Sequence, residues 1–167
     1  YSFLVTHGED PRGIQVALLY RPSSFRLIAR EEIPLHFPFD KEKRTRSLLH
    51  ATGVVASGDT LDVVLCHLPS RRGGGRRTAP YRAYGASRLR QLVDSLAQVG
   101  GGSRHSLLLG DFNGEAEEPF IAEVLDAQPY EPSEVTTVRL GGLYALLHRG
   151  NAKRQVGSYC YQGCWSQ

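Results

Sequence analysis

The chain has 167 residues, 41% of them apolar, which is enough for one domain with its own core, too little for two large ones and too apolar for a disordered tail. Its net charge of +3 does not by itself specify a polyanionic partner. No apolar run reaches the roughly 18 residues that a bilayer-spanning helix requires.

The sequence opens with Tyr1 inside an apolar stretch that runs to Val5, and it reads as a piece of a longer protein. Residues Gly13 to Tyr20 are too apolar and β-branched for a loop and predict a buried strand. Phe25 to Ile33 alternates loosely between apolar and polar side chains and predicts a second strand, ended by the Pro34 to Pro38 stretch. Leu48 to Ala56 and Asp62 to His67 read as two further strands. The Gly58-Asp59 turn signal between them makes them antiparallel neighbours.

From Ser70 to Arg82 the composition shifts to Arg, Gly and Pro, which predicts a loop. Leu89, Leu92, Val93, Leu96 and Val99 then form one stripe of an amphipathic helix that Gly100 to Gly102 would stop. His105 to Leu109 predicts a strand running into Gly110-Asp111-Phe112-Asn113. A second helix is expected from about Glu117 to Asp126, with Pro119 in its first turn. Short apolar runs follow at Val135 to Leu140 and Leu143 to Leu147. Strands outnumber helices and the helices come late, so the expected class is α/β or α+β around a mainly antiparallel sheet.

Cys66 lies in an apolar run and reads as a small buried hydrophobe. Cys160 and Cys164 have no second pair to complete a zinc site, and three cysteines do not make a disulfide scaffold. All but three of the twenty basic residues, Lys41, Lys43 and Lys153, are Arg. Such a bias suits bidentate grip on phosphate, although GC-rich coding would produce it with no function attached.

Chemistry concentrates at two strand ends. In Leu107 to Asn113 an apolar strand delivers Asp111 and Asn113, two positions apart and therefore on one side of a sheet rim. An Asp there can orient or deprotonate a water or hold a metal, and an Asn can fix that water. An Asx-turn that only satisfies backbone N–H groups is the competing reading. The strand ending at His67 is the second. Alone, such a histidine reads as structural, but Ser70, Arg71, Arg72, Arg76, Arg77, Arg82, Arg88 and Arg90 follow with no acidic residue between Asp62 and Asp94. That positive surface suits a phosphate-bearing substrate, and Tyr81 and Tyr84 within it could stack on bases or sugars.

The segments Arg12 to Pro22, Leu65 to Gly74, Leu109 to Asn113 and Gly157 to Gln167, in this order, resemble the endonuclease/exonuclease/phosphatase superfamily, of which deoxyribonuclease I is a member. The resemblance implies a four-layer α/β/β/α sandwich of mainly antiparallel sheets, present here in part, with residues 1–167 as the central part of a single domain. It implies a Mg²⁺- or Mn²⁺-dependent phosphoesterase. By motif, His67 resembles the histidine that hydrogen-bonds the phosphate, Asp111 the aspartate that positions the attacking water and contacts a metal, and Asn113 the asparagine that orients the same centre. Arg46 loosely resembles an arginine near the substrate, and Ser70 and Arg71 are expected to bind substrate as well. The family's metal-binding glutamate would precede Tyr1 and its closing Asp-His pair would follow Gln167, so residues 1–167 alone are expected to be inactive and prone to aggregate or pair. The arginine loop favours nucleic acid over lipid or inositol phosphate. The alternative is a non-catalytic module, truncated or degenerate, that binds polyanions or nucleic acid.

Overall fold

The computed structural model describes residues 1–100, 104–130, 141–146, 159–161 and 164–166. Its centre is a four-stranded sheet of order β3-β4-β5-β6, formed by Phe25–Ile33, Leu48–Val55, Thr60–His67 and Arg104–Asp111. The pairs β3-β4 and β4-β5 are antiparallel, and β5-β6 is parallel. A parallel pair needs a long crossover, and helix α1 (Gly75–Gly100) supplies it.

β5 is buried on both faces, which is why its sequence is an almost unbroken apolar run. Val64 and Cys66 pack towards α1, meeting Leu68, Ala86, Leu89 and Leu96. Val63 and Leu65 face the other way, against Leu4 and Val16 of the N-terminal hairpin segment together with Phe25, Leu49 and Ala51. That hairpin pairs β1 (Ser2–Val5) antiparallel with β2 (Ala17–Tyr20). The layers are thus hairpin, sheet and helix. Of the expected four-layer arrangement, three layers, β/β/α, are formed by the described residues. Two small pairs complete the description: β7 (Ala127–Pro129) parallel to β8 (Leu143–Ala145), and β9 (Tyr159–Tyr161) antiparallel to β10 (Cys164–Ser166).

The strands at Phe25–Ile33 and in the β4-β5 hairpin form where the sequence places them, with Gly58 at φ 92° in the turn. The loose alternation in β3 has a cause: the register shifts between Leu27 and Ala29, and Ile28 is left exposed. Three expectations need correction. β2 is shorter than Gly13 to Tyr20 and is not buried on both faces, because the hairpin's outer face is uncovered among the described residues and Leu19 is exposed there opposite Phe3.

The expected loop from Ser70 to Arg82 ends at Gly74, where α1 begins. Its first turns lack an aliphatic stripe and are anchored by a polar residue instead. Arg82 is buried and donates to the carbonyls of Pro69 and Gly75 and to Thr78 Oγ1. The second helix is reduced to one π-helical turn, Phe120–Val124, closed by the Leu125 N–H on the Phe120 carbonyl at 3.1 Å. Phe120, Ile121 and Leu125 nevertheless bury against α1 as the apolar pattern requires. The Val135 to Leu140 run lies outside the described residues. No helix among the described residues is long and apolar enough to cross a membrane.

At the end of the sheet away from His67, a buried polar cluster joins three strands. Asp62 accepts hydrogen bonds from Thr52 at 2.7 Å and from Arg104 at 2.6 and 2.7 Å, and lies 2.8 Å from His50 Nε2. Burial pushes the Asp62 carboxyl up, but these donors outweigh it and hold it below the usual range.

Candidate active site

The C-terminal ends of β5 and β6 meet in register, His67 beside Asp111. The approach depends on Gly110, which sits at φ 128° opposite Cys66. A Cβ there would lie 1.9 Å from the Cys66 carbonyl oxygen, so no side chain fits. The Leu68 N–H then donates to the Asp111 carbonyl at 2.9 Å and extends the ladder by one rung.

Asp111 Oδ1 accepts the Asn113 N–H at 2.8 Å, an Asx-turn, with Asn113 in the left-handed region at φ 53°. The Asn113 side chain donates through Nδ2 to the Leu68 carbonyl at 2.8 Å. The turn therefore fixes one carboxylate oxygen and locks the two strand ends together. Asp111 Oδ2 lies 3.7 Å from His67 Nε2, and Asp111 is well exposed. Burial, helped by the positive charge of Arg46, holds the His67 imidazole below its ordinary pKa, with Asp111 pulling the other way. His67 is thereby kept neutral around neutral pH, and its ring can offer a hydrogen bond to an anion without carrying a full charge.

Behind His67 lies a buried ion pair. Arg46, 3% exposed, donates through Nε to the His67 carbonyl at 3.1 Å and through Nη2 to the Leu68 carbonyl at 2.7 Å. Its Nη1 bonds Asp10 Oδ2 at 2.9 Å. Arg12 also grips Asp10, and hydrogen bonds from Arg12 and Arg46 hold the Asp10 carboxyl far below the usual carboxylate range against the opposing effect of burial. Asp10 escaped the sequence reading. Its signal was the Asp-Pro turn: the Arg12 N–H bonds the Asp10 side chain and the Gly13 N–H its carbonyl.

The candidate residues thus divide by place. His67, Asp111 and Asn113 converge on one rim. Arg71 joins them, donating to the Asn113 carbonyl at 3.1 Å while paired with Glu118, and half of its side chain stays exposed. Ser70 is half-buried. Arg46 stands behind the rim with its donors engaged by the protein. Exposed Arg72, Arg76 and Arg77 continue the positive surface. Cys66 is buried, its thiol pushed up by burial, and stays protonated. Among the described residues no three of His, Cys, Asp or Glu converge as a metal site. Asp111 brings a carboxylate to the rim, but the described residues alone do not make a divalent-metal ligand set.

A strand-ending His beside a Gly-Asp-Phe-Asn turn is one part of a larger pattern, and the model of the Endonuclease/Exonuclease/phosphatase family matches residues 1–167. The chain belongs to that family. The endonuclease/exonuclease/phosphatase members act on phosphate-bearing substrates and generally use divalent metals. No curated protein matches the chain. Among solved structures, a functionally unknown conserved protein from Enterococcus faecalis V583 is similar with a TM-score of 0.56 and 22% identity, over 75% of this chain and 49% of that one. The human Nocturnin catalytic domain, solved with a bound sulfate anion, is similar with a TM-score of 0.45 and 22% identity, over 64% of this chain and 38% of that one. The matched region thus spans less than half of either structure, and the likeness to the Enterococcus faecalis protein concerns the fold alone.

Proposed function

We propose that the chain is the central part of a phosphoesterase domain that attacks phosphodiester or phosphomonoester bonds with water, and that it serves as a nuclease. The observation that carries this reading is the placement of His67 and Asp111 side by side at the rim, one kept neutral by burial and the other exposed with one oxygen held by the turn. In this reading His67 donates to a phosphoryl oxygen as charge builds there, and Asp111 orients the attacking water. Asn113 and Arg46 hold the two strand ends on which these groups sit. The exposed Arg71, Arg72, Arg76 and Arg77 favour nucleic acid over lipid or inositol phosphate, because they offer repeated phosphate contacts rather than an apolar lid.

The family's use of divalent metals supports Mg²⁺ or Mn²⁺ as the cofactor. The test is hydrolysis of an oligonucleotide, an inositol polyphosphate and a phospholipid by the full-length protein, with Mg²⁺ and with chelator. Metal-dependent cleavage led by the oligonucleotide supports the proposal. Salt-sensitive oligonucleotide binding that ignores metal, with no cleavage of any substrate, would favour the non-catalytic module instead.

A further inference from the structure

The loop between β3 and β4 carries an aromatic tip that the phosphoester site does not use. Phe39 is 54% exposed, yet it is no isolated surface side chain. Its ring lies 5.3 Å from that of Tyr81, 5.8 Å from Phe37 and 6.1 Å from Tyr84, and Phe37 beneath it is buried. The loop is held in shape by the Phe37–Asp40 bridge and by the Tyr81 hydroxyl, which donates to Asp40 Oδ2 at 2.6 Å. Phe39 is therefore the exposed member of a cluster of four rings in edge-on and tilted contact.

Three cations lie on the same loop and the neighbouring helix, interleaved with Asp40, which is engaged by Tyr81, and the exposed Glu42. Lys43 Nζ stands 5.6 Å above the Tyr81 ring, Lys41 is exposed on the same loop, and Arg77 lies one helical turn before Tyr81 with its charge acting on that hydroxyl. The ring cluster is also tied to the candidate site, since Arg82, next to Tyr81, donates to the carbonyl of Pro69, two residues after His67.

We infer that Phe39 is a stacking platform for an unpaired nucleobase, with Lys41, Lys43 and Arg77 receiving the adjoining phosphates. A flat, pre-ordered ring with cations beside it matches the alternation of base and phosphate in a nucleotide. A base inside a duplex has both faces covered by its neighbours, so such a platform selects unpaired single strands. The inference rests on the phosphoester reading only for which bond is presented to His67; the binding itself is independent of it.

The test is fluorescence anisotropy, in chelator so that nothing is cleaved, with a labelled single strand of about twelve nucleotides and the same sequence as duplex. Phe39→Leu keeps an apolar side chain on the ring cluster but removes the ring; Phe39→Trp keeps a ring. Phe39→Leu should weaken single-strand binding about tenfold, leave duplex binding unchanged and the protein folded at the assay temperature, and be rescued by Phe39→Trp. Unchanged single-strand affinity, or an equal loss on duplex, overturns the inference. Adhesion to phosphatidylserine vesicles that depends on Phe39 while oligonucleotide binding does not would overturn it in favour of a lipid surface. Ring-dependent single-strand binding by a full-length protein that hydrolyses no phosphoester in Mg²⁺ supports the platform and sinks the phosphoesterase reading.

Discussion

His67 and Asp111 share a rung of the parallel β5-β6 ladder, yet His67 Nε2 and Asp111 Oδ2 are 3.7 Å apart, beyond hydrogen-bonding reach. Neither group is consumed by the other. The imidazole is restrained through its backbone by Arg46 and the carboxylate through its other oxygen by Asn113, so both remain able to turn to a third oxygen, that of a water or a phosphate.

For His67→Ala, turnover should fall by far more than stability. A hydrogen bond at a preorganised site contributes roughly 3 to 4 kcal/mol to the transition state, a loss of about a hundredfold to a thousandfold, whereas a partly exposed rim histidine buries little. Parallel kinetics and thermal melts decide: a variant that melts early yet keeps its rate when folded marks His67 as structural.

Asp111→Asn should abolish turnover while leaving substrate affinity near normal. The amide oxygen can still accept the Asn113 N–H, so the turn survives, but the negative charge is gone. Retained activity would reduce Asp111 to a turn residue.

Breaking the Asp10–Arg46 pair should be costly. Removing Asp10 leaves the Arg46 charge buried without its carboxylate, a loss of about 3 to 5 kcal/mol, whereas removing Arg46 costs less because Asp10 keeps Arg12. Arg46→Ala additionally frees the His67 and Leu68 carbonyls, so it should lose activity beyond what its reduced stability explains. Urea melts compared with rates at a temperature where each variant is folded separate the two effects. A variant with normal rate per folded molecule confines the pair to stability.

Gly110→Ala should prevent folding of the β5-β6 end. The new methyl would meet the Cys66 carbonyl and the backbone angle is one that L residues avoid, a combination expected to cost more than about 4 kcal/mol. Circular dichroism melts of this variant beside Gly58→Ala, where the added carbon meets nothing, isolate the clash from the angle. Equal effects would remove the close approach from the argument.

Acid should unfold the chain through its buried carboxylates. Asp10 and Asp62 both ionise more easily folded than unfolded, so their contribution is complete above the ordinary Asp value of about 3.9 and is lost as pH falls through the folded values below it. His67, depressed for a base, adds to the loss in the same direction from about pH 6.5 downward. Asp10→Asn, less stable at neutral pH, should show a shallower decline of melting temperature below about pH 4. Identical slopes would place the acid sensitivity elsewhere.

The sequence exposes what burial and turn chemistry write locally. β3, the β4-β5 hairpin and the approach to Asp111 follow from alternation, a Gly-Asp turn and an apolar run ending in polar residues. The first turns of α1 are hidden because Arg82, a residue that reads as loop surface, does the anchoring that a leucine does elsewhere. Asp10 is hidden for a related reason: its value comes from Arg46, 36 positions away, and no local spacing announces a partner at that distance. The rim residues His67, Asp111 and Asn113 stand out because each ends or follows a strand, whereas Arg46 precedes one and turns inward.

The cluster around Asp62 fixes more than charge. Arg104 opens β6 and reaches Asp62 of β5, while Thr52 and His50 tie the same carboxylate to β4. Were β6 to slide one residue along β5, Arg104 would lose that grip, and Gly110 or Phe112 rather than Asp111 would stand beside His67. The far end of the sheet thus acts as an alignment pin, setting at one edge of the molecule the coincidence of two side chains at the other.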